Sequence, residues 1–347
     1  MSEGQGSGNR TKRPTLKDVA QLAGVGTMTA SRVVTGVGYV SSETRTKVEA
    51  AISQLAYIPN HQARSLRSSR SGTIALIVSD ITNPYFTTLA RGVEDAARPS
   101  GSLLLLGSSD ESEEEELRYM NLLVQKGVDG VILVPSHLGT SAIALAQSRG
   151  IPVAAVDRRG PEGIDCVRCD SEKAAQELAQ LLLDKGHRSA GILGGIEGIT
   201  TFEDRIRGFT RAFEKGGGRC QLTRGEMEVE SGQAAARMFM LSNQAPTCLF
   251  SVNNFLAIGA LKEIQELGMA VPQDISVVGF DDLPSSMLAF PFLTVAAQPA
   301  YDLGFRAASL LLERIEQPDL PPRHEILGTQ IIQRSSVGSP RPTAPGS

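Results

Sequence analysis

The 347-residue chain contains no run of about eighteen apolar residues, so nothing in it reads as a membrane span. Its opening, MSEGQGSGNR, is rich in glycine and serine and has no apolar stretch of the kind a secretory leader needs; residues 1–13 read as a disordered leader. The four cysteines, Cys166, Cys169, Cys220 and Cys248, are too few and too unevenly spaced for a disulfide framework. Cys166 and Cys169 form a C-x-x-C, but no second pair and no neighbouring histidine accompanies it, and IDCVRCD alternates like a strand, so packing is expected rather than zinc binding. The four histidines, His61, His137, His187 and His324, form no metal-like cluster. A G-x-S-x-G elbow and a G-x-x-x-x-G-K phosphate loop are also missing, and GGIEG after a strand lacks a dinucleotide fingerprint and reads as a turn. These absences argue against an enzyme and predict no catalytic residue, no metal and no cofactor. The missing span and leader make the cytoplasm the expected location.

What the chain does have is a segregated charge. Its net charge of -4 conceals a basic head: residues 1–72 hold ten Lys and Arg against four acids, leaving 24 bases and 34 acids for the rest, +6 against -10. Such a division puts phosphate attraction at one end and keeps the body off nucleic acid. Length and an apolar content of 41% allow two or three domains with sizeable cores.

Within the basic head, TLKDVAQLAGVGTMTASRVVT reads as two short helices around a glycine turn, the pattern of a helix-turn-helix. Leu16, Val19, Ala20 and Ala23 mark the apolar face of the first; Ala30, Val33 and Val34 mark that of the second. Thr27, Met28, Thr29, Ser31 and Arg32 occupy the second helix's remaining face, short or polar groups suited to base edges in a major groove. Ser41 is placed to cap a third helix of about fourteen residues, with Glu43 in its first turn and Tyr57-Ile58-Pro59 closing it. The basic segment that follows, NHQARSLRSSRSG, is too short to be a stable helix alone.

From residue 73 short apolar runs alternate with helical patterns. TIALIVS, LLLLGS, GVILV and PVAAV, then AGILG, CLFSV and ISVVGF, read as parallel strands covered on both faces, with helices near 85–98, 112–126, 139–149, 171–186, 203–215, 231–242 and 254–267. Two doubly wound α/β lobes result, in which ligands sit beyond the carboxyl ends of the strands. The polar residues found there are Asp80, Asn83, Tyr85 and Phe86, then Asp157 with Arg158, Asn253 and Asp281, joined by Arg205 and by Gln298 where the chain recrosses between lobes. Taken singly, Asn83 fits a turn, and Asp157 and Asp281 fit helix N-caps. Taken together, rings, amides, carboxylates and guanidiniums suit a polyhydroxylated small molecule, a sugar above all.

The ordered motifs DVAQLAGV, TASRVVTG, GYVSSETRTKVEAAI, LAYIPNHQARSLR, SGTIALIV, NPYF, GHRSAGILGG, RIRGF, NNFLAIGAL and ISVVGFDD resemble the lactose repressor (LacI-type) family of bacterial transcription regulators, to about residue 337. The resemblance implies a helix-turn-helix domain over 14–59, a hinge over 60–72, a two-lobed core over 73–338 (lobe 1 about 73–163 and 296–325, lobe 2 about 164–295 and 326–338) and a tail over 339–347. It implies that Thr27, Met28 and Arg32 face bases while Thr29 and Ser31 touch phosphates. Asn60 would cap a hinge helix that includes Ala63, Leu66 would wedge into a minor-groove step at the operator centre, and Arg67 would lend electrostatic support. Two departures stand out: Gly26 replaces a Ser-like cap, and Met28 stands where a hydrogen-bonding reader is usual. The core is similar to periplasmic ribose-binding proteins, whose ring of ligand contacts corresponds to Asn83, Tyr85, Phe86, Asp157, Arg158, Arg205, Asn253, Phe280, Asp281 and Gln298. The expected protein is therefore an allosteric homodimeric repressor of a near-palindromic double-stranded operator, controlled by ribose or another monosaccharide. A sugar acid or purine is the alternative effector, and a sugar-binding or sugar-processing protein without a DNA role the alternative class.

Overall fold

The computed structural model describes residues 14–57, 70–136, 140–282 and 291–341, and the chain separates into two compact units, Met1–Ser71 and Gly72–Ser347. The hinge residues Asn60, Ala63, Leu66 and Arg67 fall outside the described residues.

Among the described residues the head holds three helices, α1 (Leu16–Leu22), α2 (Thr27–Thr35) and α3 (Ser42–Gln54). The first opens on a reciprocal capping box: the Thr15 hydroxyl accepts from the Asp18 amide, and the Asp18 carboxylate accepts from the Thr15 amide at 2.7 Å. Gly24, at φ +65°, turns the chain into α2. Gly26 caps α2 with no side-chain bond, and Ser41 caps α3 by accepting from the Thr44 amide. The core of this small unit is Val19, Ala20, Ala30, Val33, Val48 and Ala51, side chains short enough for three helices to pack closely.

The second unit is built on two six-stranded sheets. Its elements follow in the order β1 (Thr73–Val78), α4 (Pro84–Ala97), β2 (Leu103–Ser108), α5 (Glu113–Lys126), β3 (Gly130–Leu133), α6 (Thr140–Ser148), β4 (Val153–Val156), β5 (Asp165–Cys169), α7 (Ser171–Asp184), β6 (Ser189–Gly194), α8 (Thr200–Lys215), β7 (Arg219–Arg224), α9 (Val229–Met240), β8 (Cys248–Ser251), α10 (Asn254–Glu266), β9 (Ser276–Phe280), β10 (Thr294–Ala297), α11 (Ala300–Glu316), β11 (His324–Leu327) and β12 (Gln330–Ile332). The first sheet runs β11-β5-β4-β3-β1-β2, parallel throughout. The second runs β12-β10-β9-β8-β6-β7, parallel except for β12 against β10. The chain passes between sheets after Cys169, after Ala297 and after Leu327.

Three expectations change here. The strand Asp165–Cys169 was assigned to the second lobe but pairs with β4 in the first sheet; a buried carboxylate fixes it, since Asp165 accepts from Arg314 Nε at 2.7 Å and Arg323 N at 2.9 Å. The run LLLLGS is not covered on both faces: β2 ends its sheet, leaving Leu103 69%, Leu105 43% and Leu106 45% exposed. Finally, α11 lies across β3, β4 and β5 where no helix was expected. It packs against α4 at glycines: a Cβ on Gly92 would lie 2.0 Å from the Tyr301 carbonyl oxygen, and one on Gly304 2.0 Å from that of Leu89.

Candidate functional site

On the head, α2 presents Thr27, Met28 and Arg32 to solvent and leaves Thr29 and Ser31 half-buried, while Ala30 and Val33 face the core. The i, i+1, i+4, i+5 spacing puts Thr27, Met28, Ser31 and Arg32 on one helical face. Met28 is 64% exposed, an unbranched apolar side chain with nothing of its own unit over it, suited to a thymine methyl.

In the two-sheet unit a cavity of about 510 Å³ opens at the carboxyl ends of the strands, where both sheets contribute residues. It is lined by Asn83, Tyr85, Phe86, Asp157, Arg158, Arg205, Asn253, Asp281 and Gln298, nine of the ten residues expected of a sugar ring. Phe280 is not at its surface. Strand alternation turns that side chain under the site, where it is fully buried with the Arg205 guanidinium 4.1 Å above its ring and Phe250 edge-on at 6.1 Å.

The two lobes furnish matching halves. Asp157 follows β4 and Asp281 follows β9, each in left-handed backbone at φ +69° and +66°, so neither is the helix N-cap its sequence context suggested. Asp157 accepts from the Tyr85 hydroxyl at 2.6 Å, and burial, then Asp157 itself, pushes that phenol well above its ordinary range, keeping it a donor. Asp281 accepts from Gln298 Nε2 at 2.7 Å and lies 3.5 Å from Arg205 Nη1. Burial raises the Asp281 carboxyl above its ordinary value, with Arg205 and Gln298 opposing.

Asn83 and Asn253 do cap helices: their side-chain oxygens accept from the Tyr85 and Leu256 amides, both at 3.0 Å. Asn83 also bridges the lobes, because its amide and that of Asn254 exchange two hydrogen bonds, at 3.1 and 3.0 Å.

Both arginines are buried and partly committed. Arg205 Nη1 donates to the Val252 carbonyl at 2.6 Å. Arg158 gives Nη1 and Nη2 to the two oxygens of Glu111, each at 2.5 Å, and Nη1 also reaches the Pro135 carbonyl at 3.0 Å. Burial disfavours the Arg158 charge, but Glu111 first, with Asp157 and Tyr85, more than offsets this and holds the guanidinium above its ordinary value. Phe202 lies 5.8 Å and 5.9 Å from the Arg158 and Arg205 guanidiniums, between them. Among the described residues, Nε of each arginine and Oε1 of Gln298 have no hydrogen-bond partner.

Sequence reasoning passed over Phe202, Asp110, Glu111 and the segment Glu226–Glu230, all of which line the cavity. The signal was the one used elsewhere, polar residues just beyond a strand: Asp110 and Glu111 follow β2, and Glu226–Glu230 follows β7.

Residues 15–60 match the bacterial regulatory proteins of the lacI family, and residues 71–334 match the periplasmic binding proteins and sugar binding domain of LacI family. The chain belongs to the LacI family. A ribose operon repressor of Halalkalibacterium halodurans is 35% identical over 93% of this chain and 97% of its own length. A lac repressor dimer bound to operator and the anti-inducer ONPF superposes with a TM-score of 0.84 at 27% identity, over 94% of this chain and 99% of that one. A LacI family regulator of Enterococcus faecium with bound ribose gives 0.70 at 30% identity, over 77% and 99%. This LacI-family chain is thus a DNA-binding transcriptional regulator with a helix-turn-helix head and a sugar-binding type of core. Among the described residues no helix is long and apolar enough to cross a membrane.

Proposed function

We propose that this regulator is a cytoplasmic, non-enzymatic repressor that binds a near-palindromic operator at the nucleoid as a homodimer and is controlled by a monosaccharide, ribose first among candidates. The observation that carries the effector reading is the convergence of nine residues chosen for sugar chemistry around one cavity between the sheets. Aromatic Tyr85, Phe86 and Phe202 can stack on C–H faces; Asp157, Asp281, Arg205, Asn253 and Gln298 can meet hydroxyls. The ribose operon repressor and the ribose-bound regulator among the relatives support the same choice.

In the DNA reading Thr27, Met28 and Arg32 face bases and Thr29 and Ser31 phosphates, Arg32 pairing with guanine O6 and N7. The exposed leucine edge of β2 supports the dimer, because an apolar terminal strand is otherwise an aggregation liability. Two heads related by twofold symmetry call for half-sites about one helical turn apart. In the same reading the hinge residues Asn60, Ala63, Leu66 and Arg67, which lie outside the described residues, contact the operator centre, Leu66 as the minor-groove wedge. Lobe closure on the sugar then permits or forbids that contact.

The test is a thermal-shift screen of full-length protein against pentoses, hexoses, sugar acids and purines, followed by operator mobility shifts with each hit. A monosaccharide that raises the melting midpoint and alters operator affinity supports the proposal; a response confined to a sugar acid or purine transfers the regulator to that effector, and no sequence-selective DNA binding with or without ligands refutes it. Leu66→Ala is expected to weaken specific binding much more than nonspecific binding, and equal losses would refute the wedge.

A further inference from the structure

We propose that Glu111 sets the charge of the effector, so that the cavity takes a neutral or cationic polyhydroxylated molecule and rejects sugar phosphates and sugar acids; the proposal rests on reading the cavity as the effector site. An arginine in a sugar pocket ordinarily welcomes anions, because its fork matches phosphate and carboxylate bidentately. Arg158 cannot do so here. Both its Nη groups are held by the two oxygens of Glu111 at 2.5 Å, and its third Nη hydrogen bond goes to the Pro135 carbonyl. The site is built for this pairing: Arg158 is 2% exposed, and the loop that delivers Glu111 holds two consecutive non-glycine residues, Asp110 and Glu111, in left-handed backbone at φ +49° and +59°, a strain that clusters at ligand sites.

With Arg158 neutralised, the remaining charges are one-sided. The lining residues comprise eight carboxylates against two guanidiniums, and Glu226, Glu228 and Glu230 stand exposed at the mouth with Asp110 across from them on the other lobe. Arg205 offsets only part of this: its Nη1 is given to the Val252 carbonyl and lies beside Asp281. Field lines from such a cleft are focused into it, so an incoming anion meets repulsion at the entrance and finds the Nη pair of Arg158 already taken inside. A hydroxyl or ammonium, by contrast, meets acceptors.

The experiment measures binding to the full-length protein by calorimetry and thermal shift, using matched sets in which a neutral pentose or hexose is compared with its phosphate ester, its aldonic acid and its amino sugar. In each set that binds, the neutral or amino sugar is expected to bind and the anions to bind at least about tenfold more weakly, a gap that narrows as salt screens the exposed mouth. Glu111→Gln, which keeps a hydrogen bond to Arg158 but removes the charge, is expected to improve anion affinity relative to the neutral parent by about tenfold. The exposed double variant Glu226→Gln, Glu228→Gln is expected to do so to a smaller, salt-sensitive extent, and it decides alone should Glu111→Gln not fold. An anion binding the native protein as tightly as its neutral parent overturns the proposal while leaving the sugar reading intact, as does an unchanged ratio in the variants. If no sugar of any charge binds while operator binding persists, the sugar reading itself falls and takes this inference with it.

Discussion

Asp157 and Asp281 hold a left-handed backbone that few side chains tolerate, and each spends its carboxylate on neighbours that line the cavity. Asparagine and aspartate populate that region far more readily than β-branched residues do. Asp281→Asn is therefore expected to fold nearly as stably as the native chain, whereas Asp281→Val should lose roughly 1–3 kcal/mol in urea unfolding. At Arg205 the ring of Phe280 beneath the guanidinium and the Val252 carbonyl at its edge fix one orientation. Lysine restores the charge but neither the flat stacking nor the fork. Arg205→Ala should weaken the effector by about 10- to 100-fold, the worth of one or two hydrogen bonds to a charged group, and Arg205→Lys should recover only part of this in calorimetry.

Helix contacts carry the next layer. The crossing of α4 and α11 places Gly92 against the Tyr301 carbonyl and Gly304 against that of Leu89, each with room for hydrogen only. Gly92→Ala or Gly304→Ala must push the helices apart and is expected to cost on the order of 3 kcal/mol in denaturant unfolding, against a gain in helix propensity of about 1 kcal/mol. Gly304 is also part of the reason α11 was not read from the sequence: a glycine in mid-pattern weakens a helical signal whose true purpose is close packing. The long apolar strands were legible because burial on both faces leaves an uninterrupted run, as in Ile74–Val78. Strands β7, β11 and β12 were not, since RCQLTR alternates and is half-exposed, and HEIL and QII are too short to show a period. That gap reached the site. The rule of inspecting residues beyond each strand found Asn83, Asp157, Asn253 and Asp281, but it could not be applied after a strand that had not been recognised, which hid Glu226–Glu230. Glu111 was missed differently: it does follow a recognised strand, but nothing local in SSDESEEEE distinguishes the glutamate that folds back onto Arg158 from the exposed Glu113 and Glu114.

At the scale of the molecule, charge and pH act on different parts. The basic head, +6 over residues 1–72, should make operator affinity fall linearly in log affinity against log salt, while affinity for a neutral sugar barely changes; fluorescence anisotropy and calorimetry over one salt series check this. His187 joins distant parts of the second lobe, with Nε2 3.0 Å from both the Gly338 carbonyl and Ser276 Oγ, and Nδ1 2.9 Å from Thr247 Oγ1. Burial lowers its pKa below the ordinary 6.5, so the unfolded chain takes up a proton more readily than the folded one. Its contribution is present in full above about pH 6.5 and is lost as pH falls through the folded value; stability should drop more steeply between about pH 7 and 5 in the native chain than in His187→Gln, measured by urea titration. The three passages of the chain between sheets, after Cys169, Ala297 and Leu327, carry a last consequence. A protease that nicks any one of them leaves the halves tethered by the other two, so digestion should yield a clipped but associated particle. Deleting everything from His324 onward would instead strip a flanking strand from both sheets at once, which makes the extreme C-terminal stretch, far from DNA in sequence, a shared seam rather than an appendage.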